Sequence, residues 1–139
     1  MPIYALGDLE PQISESAFVH PDAVLIGAVT IGAGTSVWPC AVLRADTNHI
    51  VVGQNCSIQD GAVIHCTADL PTLIGDNCTI GHNAHLEGCQ VSDNALIGSG
   101  ALVLHEVKVG QSALVAAGAV CVKGLIIPPL ALAVGVPAR

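Results

Sequence analysis

The chain has 139 residues, 52% hydrophobic and only 2% aromatic, with 4 Lys+Arg against 11 Asp+Glu and a formal net charge of −7. So few cations argue against nucleic acid or an anionic membrane as partner, because both demand a basic surface. No run of about 18 apolar residues is present to span a bilayer, and Met1–Glu10 lacks the basic and apolar stretches of a secretory signal, so one cytoplasmic domain, residues 1–139, is expected.

From Ile13 an aliphatic residue recurs every sixth position through Val19, Leu25, Ile31, Val37 and Leu43. The beat resumes at Val52, Ile58 and Ile64, then at Ile74, Ile80 and Leu86, then from Val91 through Ile97, Val103, Val109, Val115, Cys121 and Ile127. Four residues after most of these stands a small or β-branched residue, such as Ala23, Thr35, Ala41, Cys56, Ala62, Cys78 and Ala84. A six-residue period specifies a solenoid of short parallel strands. Strand side chains alternate sides, so the aliphatic residue and the small residue two before the next one both point inward. Three hexads close a triangular coil of about 18 residues, and the chain holds about six coils stacked about 4.8 Å apart. The class is all-β, a parallel β-helix of hexapeptide repeats. Extra residues around Asp46–His49 and Cys66–Pro71 are read as loops, and one residue is missing after Leu86. Rings do not fit so narrow a prism, which accounts for the low aromatic content.

The six cysteines show no C-x-x-C pair and no zinc-finger spacing. Cys56, Cys78 and Cys121 fall on inward positions and read as buried small hydrophobes of a reducing compartment.

Every third hexad returns to the same face. On the face of Leu25, Leu43, Ile64, Leu86, Val103 and Cys121, the outward residues include Val24, Val42, Val63, Leu102, Val120, Ile26, Leu104 and Val122. A surface this apolar predicts an interface between copies, most simply a cyclic trimer, or else a covering helix. The next face carries Thr30, Gly53, Gly75, Gln90, Ser92 and Lys108 and reads as solvent-facing. Within the apolar face runs a polar column of Arg44, His65 and Glu87 on successive coils, with His65 and Glu87 stacked about 5 Å apart. Gln59, Asp60 and His82 lie at the corner beside that face. Buried polar groups need partners. Two imidazoles and a carboxylate converging there suit a divalent metal with an open position, or a purely structural hydrogen-bond network. His20, His49 and His105 fall at corners or loops and read as solvated surface residues; Trp38 packs at an edge.

The segments Arg44-Ala45-Asp46, Asn55 to His65 (NCSIQDGAVIH) and Ile80 to Cys89 (IGHNAHLEGC) resemble the γ-class carbonic anhydrase family of left-handed β-helix proteins, and Gly135 to Arg139 is similar to the end of that family's helix. The resemblance covers essentially the whole chain. It implies a homotrimer with Zn²⁺, or Fe²⁺ or Co²⁺, at each interface. His65 matches one metal ligand, and His82 matches a second that reaches the metal held by a neighbouring subunit. Arg44 and Asp60, with Asp46 in the same loop, match an interface ion pair. Gln59 matches a residue that hydrogen-bonds the reactive water. The family's third histidine falls at Glu87. The chain therefore departs there, with Glu87 as the favoured third ligand and His85 as the alternative. His85 and Glu87 are also the candidates for moving a proton to bulk solvent. The family usually continues into a C-terminal helix, which a chain ending at Arg139 lacks or has lost by truncation.

Three activities compete. Reversible hydration of CO₂ to bicarbonate leads. A non-catalytic scaffold trimer is the alternative, since an anionic ligand weakens a metal's Lewis acidity. A hexapeptide-repeat acyltransferase ranks below both, because the insertions are only three and four residues long.

Overall fold

The computed structural model describes residues 2–139. Among them there is no helix; 19 strands follow one another round a three-sided, left-handed β-helix. The first coil holds β1 (Ile3–Tyr4), β2 (Gln12–Ile13) and β3 (Phe18–Val19). In the second, β4 (Val24–Ile31) runs round a corner before β5 (Ser36–Val37), and in the third β6 (Val42–Val52) does the same before β7 (Ser57–Ile58). The fourth coil is β8 (Val63–His65), β9 (Thr72–Ile74) and β10 (Thr79–Ile80), and the fifth is β11 (His85–Glu87), β12 (Gln90–Val91) and β13 (Leu96–Ile97). The last two coils are β14 (Leu102–Val103), β15 (Lys108–Val109) and β16 (Leu114–Val115), then β17 (Val120–Cys121), β18 (Ile126–Ile127) and β19 (Leu132–Ala133).

All inter-coil pairing is parallel and sets aliphatic on aliphatic. On the first face Leu25, Leu43, Ile64, Leu86, Val103 and Cys121 lie directly over one another. These side chains are fully buried, as are Ala23, Ala41, Ala62, Ala84 and Ala101 at the small inward positions. All six cysteines are free thiols, with Cys40 exposed and the other five buried.

Two features differ from the hexad count. The coils number seven, not about six. Leu6 and Leu9 exchange two backbone hydrogen bonds of 2.7 and 3.0 Å in a small side turn. That turn moves Ile3 off the beat, yet Ile3 still pairs with Leu25. The extra residues Asp46–His49 leave the ladder, as expected, but as an extended bulge without a partner strand and not as an irregular loop. Extended backbone continues through all 11 residues of β6, and the pairing with β4 slips between Gly27 and Val29 to absorb them. The second insertion, around Cys66–Pro71, is a loop as expected.

Gly27 makes the slip possible. Its φ is +78°, and a Cβ there would overlap the Ala45 carbonyl oxygen. Gly27→Ala is therefore expected to cost about 2–4 kcal/mol, seen as a lower urea midpoint at unchanged slope.

Two outward faces carry apolar residues. On the first, Val63, Leu102 and Val122 are exposed, the surface that the sequence marks for a partner. On the third, Leu96, Leu114 and Leu132 stack in register and are also exposed, a stripe that comparing only the first two faces leaves out.

Candidate functional site

β8 and β11 each run one residue past the usual two, and their last residues are His65 and Glu87. The parallel register places Arg44, His65 and Glu87 over one another at the end of the first face, as counting by sixes requires. A hydrogen-bonded column follows. Arg44 Nη1 donates to Asp46 Oδ2 at 2.5 Å, and Asp46 Oδ1 lies 2.8 Å from His65 Nε2. His65 Nδ1 lies 2.7 Å from Glu87 Oε1, and Glu87 Oε2 lies 2.6 Å from His105 Nε2. His105, read from sequence as a solvated corner residue, thus belongs to the site.

The electrostatics follow from these bonds. Hydrogen bonding to His65 holds the Asp46 carboxyl below its ordinary value, against a small opposing effect of burial and with help from Arg44. The His105 bond is the largest cause of a lowered Glu87 pKa, with His65 also contributing. A depressed folded pKa means a stabilising contribution present above the unfolded value and lost as pH falls through the folded one. The metal-free protein is therefore expected to lose stability as pH drops below about 4. Asp46→Asn protein, lacking one of the two carboxyls, is expected to lose less across the same interval in urea titrations at stepped pH.

Beneath the column, Thr72 is fully buried. Its hydroxyl donates to the His65 carbonyl at 2.5 Å and accepts from Gly88 N–H at 2.8 Å. One side chain thereby ties the backbone of His65 to the residue after Glu87. Thr72→Val leaves both backbone groups unpaired and is expected to cost about 1–3 kcal/mol. Thr72→Ser, which keeps the hydroxyl, should recover most of that in the same denaturation assay.

Gln59, Asp60 and His82 occupy the opposite edge of the same face. Asp60 Oδ1 lies 3.3 Å from His82 Nδ1, and both side chains are exposed. With Asp60 beside Nδ1, Nε2 is the ring nitrogen of His82 left open to a ligand. His82 lies in the turn before β11 and Glu87 at its end, a separation of at most roughly 16 Å along one coil. Arg44 pairs with Asp46 and Asp60 stands by His82, so the two do not pair with each other here. His85 projects from mid-face between Val63 and Leu102, with buried Leu86 separating it from Glu87.

Among the described residues, no three His, Cys, Asp or Glu side chains gather in a geometry that could hold a metal ion within one copy. The donor chemistry nevertheless fits in two halves. One edge offers an imidazole and a carboxylate in contact, and the other offers an exposed imidazole beside a carboxylate. Both ring nitrogens of His65 face carboxylate oxygens, at 2.8 Å from Asp46 and 2.7 Å from Glu87. A cation bound to His65 would take the place of one of these two contacts.

Three comparisons bear on this arrangement. The hexapeptide-repeat family described as Bacterial transferase hexapeptide (six repeats) matches residues 10–45 and 71–103. Gamma carbonic anhydrase 2, mitochondrial, of Arabidopsis thaliana is 43% identical over 138 residues, covering 95% of this chain and 50% of that protein. Carnitine operon protein CaiE of Escherichia coli (strain K12) is 39% identical over 139 residues, covering 100% of this chain and 71% of that protein. The chain thus spans about half the length of the plant relative. The crystal structure of a hexapeptide transferase family protein from Anaplasma phagocytophilum superposes with a TM-score of 0.95 at 33% identity, covering 99% of this chain and 81% of that one.

Proposed function

The chain belongs to the gamma carbonic anhydrase-like group of hexapeptide-repeat proteins, and we propose that it forms a homotrimer that hydrates CO₂ reversibly at a divalent metal, Zn²⁺ or else Fe²⁺ or Co²⁺, held between copies. One observation carries this reading: complementary polar groups stand at the two opposite edges of one apolar face. Packing that face against a copy of itself around a threefold axis buries Val63, Leu102 and Val122, and brings the His82 edge of one copy toward the His65–Glu87 edge of the next.

His65 and Glu87 of one copy and His82 of a second would hold the cation. When bound, it supplies Lewis acidity for hydration of CO₂, muted by the negative charge of Glu87. Gln59 sits one residue from Asp60 on the His82 edge, where its side-chain amide can orient a water by one hydrogen bond. Arg44 and Asp46 steady the His65 ring. His85, mid-face, is placed to carry a proton away from the interface. Val63 and Leu102 flank it and exclude bulk water, which strengthens each polar contact inside.

The test is stopped-flow CO₂ hydration by zinc-loaded protein across pH, with sedimentation of the same sample. A zinc-dependent rate that rises toward alkaline pH in a trimer supports the reading; a zinc-loaded trimer with no rate above buffer contradicts the catalytic part. A scaffold role is the second reading, favoured by the fact that both ring nitrogens of His65 and both oxygens of Glu87 find partners within one copy. Elemental analysis of the purified trimer with no metal would favour it. Acyl transfer is the third reading, and a coenzyme A-dependent rise in melting temperature would favour that one.

A further inference from the structure

We infer that His105 is a positioning residue, whose imidazole holds Glu87 Oε2 so that the carboxylate presents Oε1 beside His65. This role presupposes the metal centre between copies proposed above. The two contacts are of similar length, 2.6 Å from Oε2 to His105 Nε2 and 2.7 Å from Oε1 to His65 Nδ1. A glutamate side chain has about 1.5–2 kcal/mol of rotamer freedom to lose on fixing. One bond at each oxygen removes it before any ligand arrives.

The backbone explains how His105 reaches this place. Strand pairing sets His85 on Leu102 and Leu86 on Val103, so Leu104, not His105, is the next residue over Glu87. His105 comes from the corner beyond. The residue it passes is Gly88, at φ +66°, where a Cβ would crowd Leu70 at 3.2 Å and would stand in ordinary contact with His105 Cδ2 at 3.5 Å. The corner itself is pinned on both sides. Glu106 N–H donates to the Gly88 carbonyl at 2.8 Å, and Gly124 N–H donates to the His105 carbonyl at 3.0 Å. With its side chain 40% exposed, the ring is fixed by this bond and this corner rather than by burial.

Partners that hold a ligating carboxylate are worth about 10–100-fold in metal affinity. The test is Co²⁺ titration followed by visible absorption, with chelator competition, on the wild-type, His105→Ala and His105→Gln proteins. Oligomer size and melting temperature are measured alongside. His105→Ala is expected to bind Co²⁺ about 10–100-fold more weakly with an altered spectrum. His105→Gln, whose amide still donates to Oε2, should recover most of the affinity, and both variants should keep the wild-type oligomer size and a cooperative unfolding transition. A folded His105→Ala protein with wild-type affinity and spectrum overturns the role of His105 and leaves the metal centre standing. Should His105→Ala fail to fold, an unrescued His105→Gln protein of wild-type size overturns it instead. Wild-type protein that binds no Co²⁺ overturns both together.

Discussion

His65→Ala protein is expected to keep its fold, lose stoichiometric zinc and lose the zinc-dependent rate of CO₂ hydration by roughly three orders of magnitude, about 4 kcal/mol in barrier. The fold survives because His65 points outward from β8, while the neighbouring Ile64 and Cys66 fill the interior and remain unchanged. The site does not survive, because His65 is the hub of its edge. It bonds Asp46 on one side and Glu87 on the other. Its removal takes away one donor and frees the carboxylates on either side of it. Elemental analysis and circular dichroism on one preparation, with stopped-flow rates, separate loss of the site from loss of the fold. Retention of one zinc per chain in the variant would contradict the ligand assignment.

The second large effect concerns the interior. Leu86 is fully buried and lies between Ile64 and Val103 in the aliphatic ladder, with His85 and Glu87 on either side of it along β11. Leu86→Ala opens a cavity at mid-prism. The coils above and below are held at fixed spacing by continuous parallel pairing, so the walls cannot close in. The expected cost is about 3–5 kcal/mol, a large part of the roughly 5–15 kcal/mol that stabilises a domain. Urea unfolding at fixed protein concentration measures it, since assembly contributes to apparent stability. A shift under about 1 kcal/mol would mean that the prism relaxes around the missing side chain.

Much of this molecule is legible as a period. The aliphatic beat names the inward ladder, and counting by sixes stacks His65 under Glu87, as the strand register bears out. It also puts His82 and Asp60 together on the far edge, where they lie 3.3 Å apart. The count fails where backbone leaves the period. The side turn at Leu6–Leu9 hides the first coil. The residues Asp46–His49 join a strand because Gly27 lets β4 approach closely enough to slip.

Side chains at corners are the other gap. Period 2 fixes direction only along a strand. At a corner, direction depends on the turn itself, and the backbone bonds of Glu106 to Gly88 and of Gly124 to His105 set the one that brings His105 to Glu87. Asp46 bonds His65 for a related reason, since the slipped backbone carries it round to the column. Thr72 did leave a signal. It occupies the small inward position two before Ile74, where most coils have Ala or Cys. A hydroxyl in a dry ladder must find partners, and here those partners are the backbones that carry the site.

The most direct measurement is an anomalous difference map from crystals of the zinc-loaded protein. One peak per chain is expected on the contact between copies, about 2.0–2.2 Å from donors of His65, Glu87 and a second copy's His82. A map with no peak at that contact, and with His65 still bonded to both Asp46 and Glu87, would contradict the account.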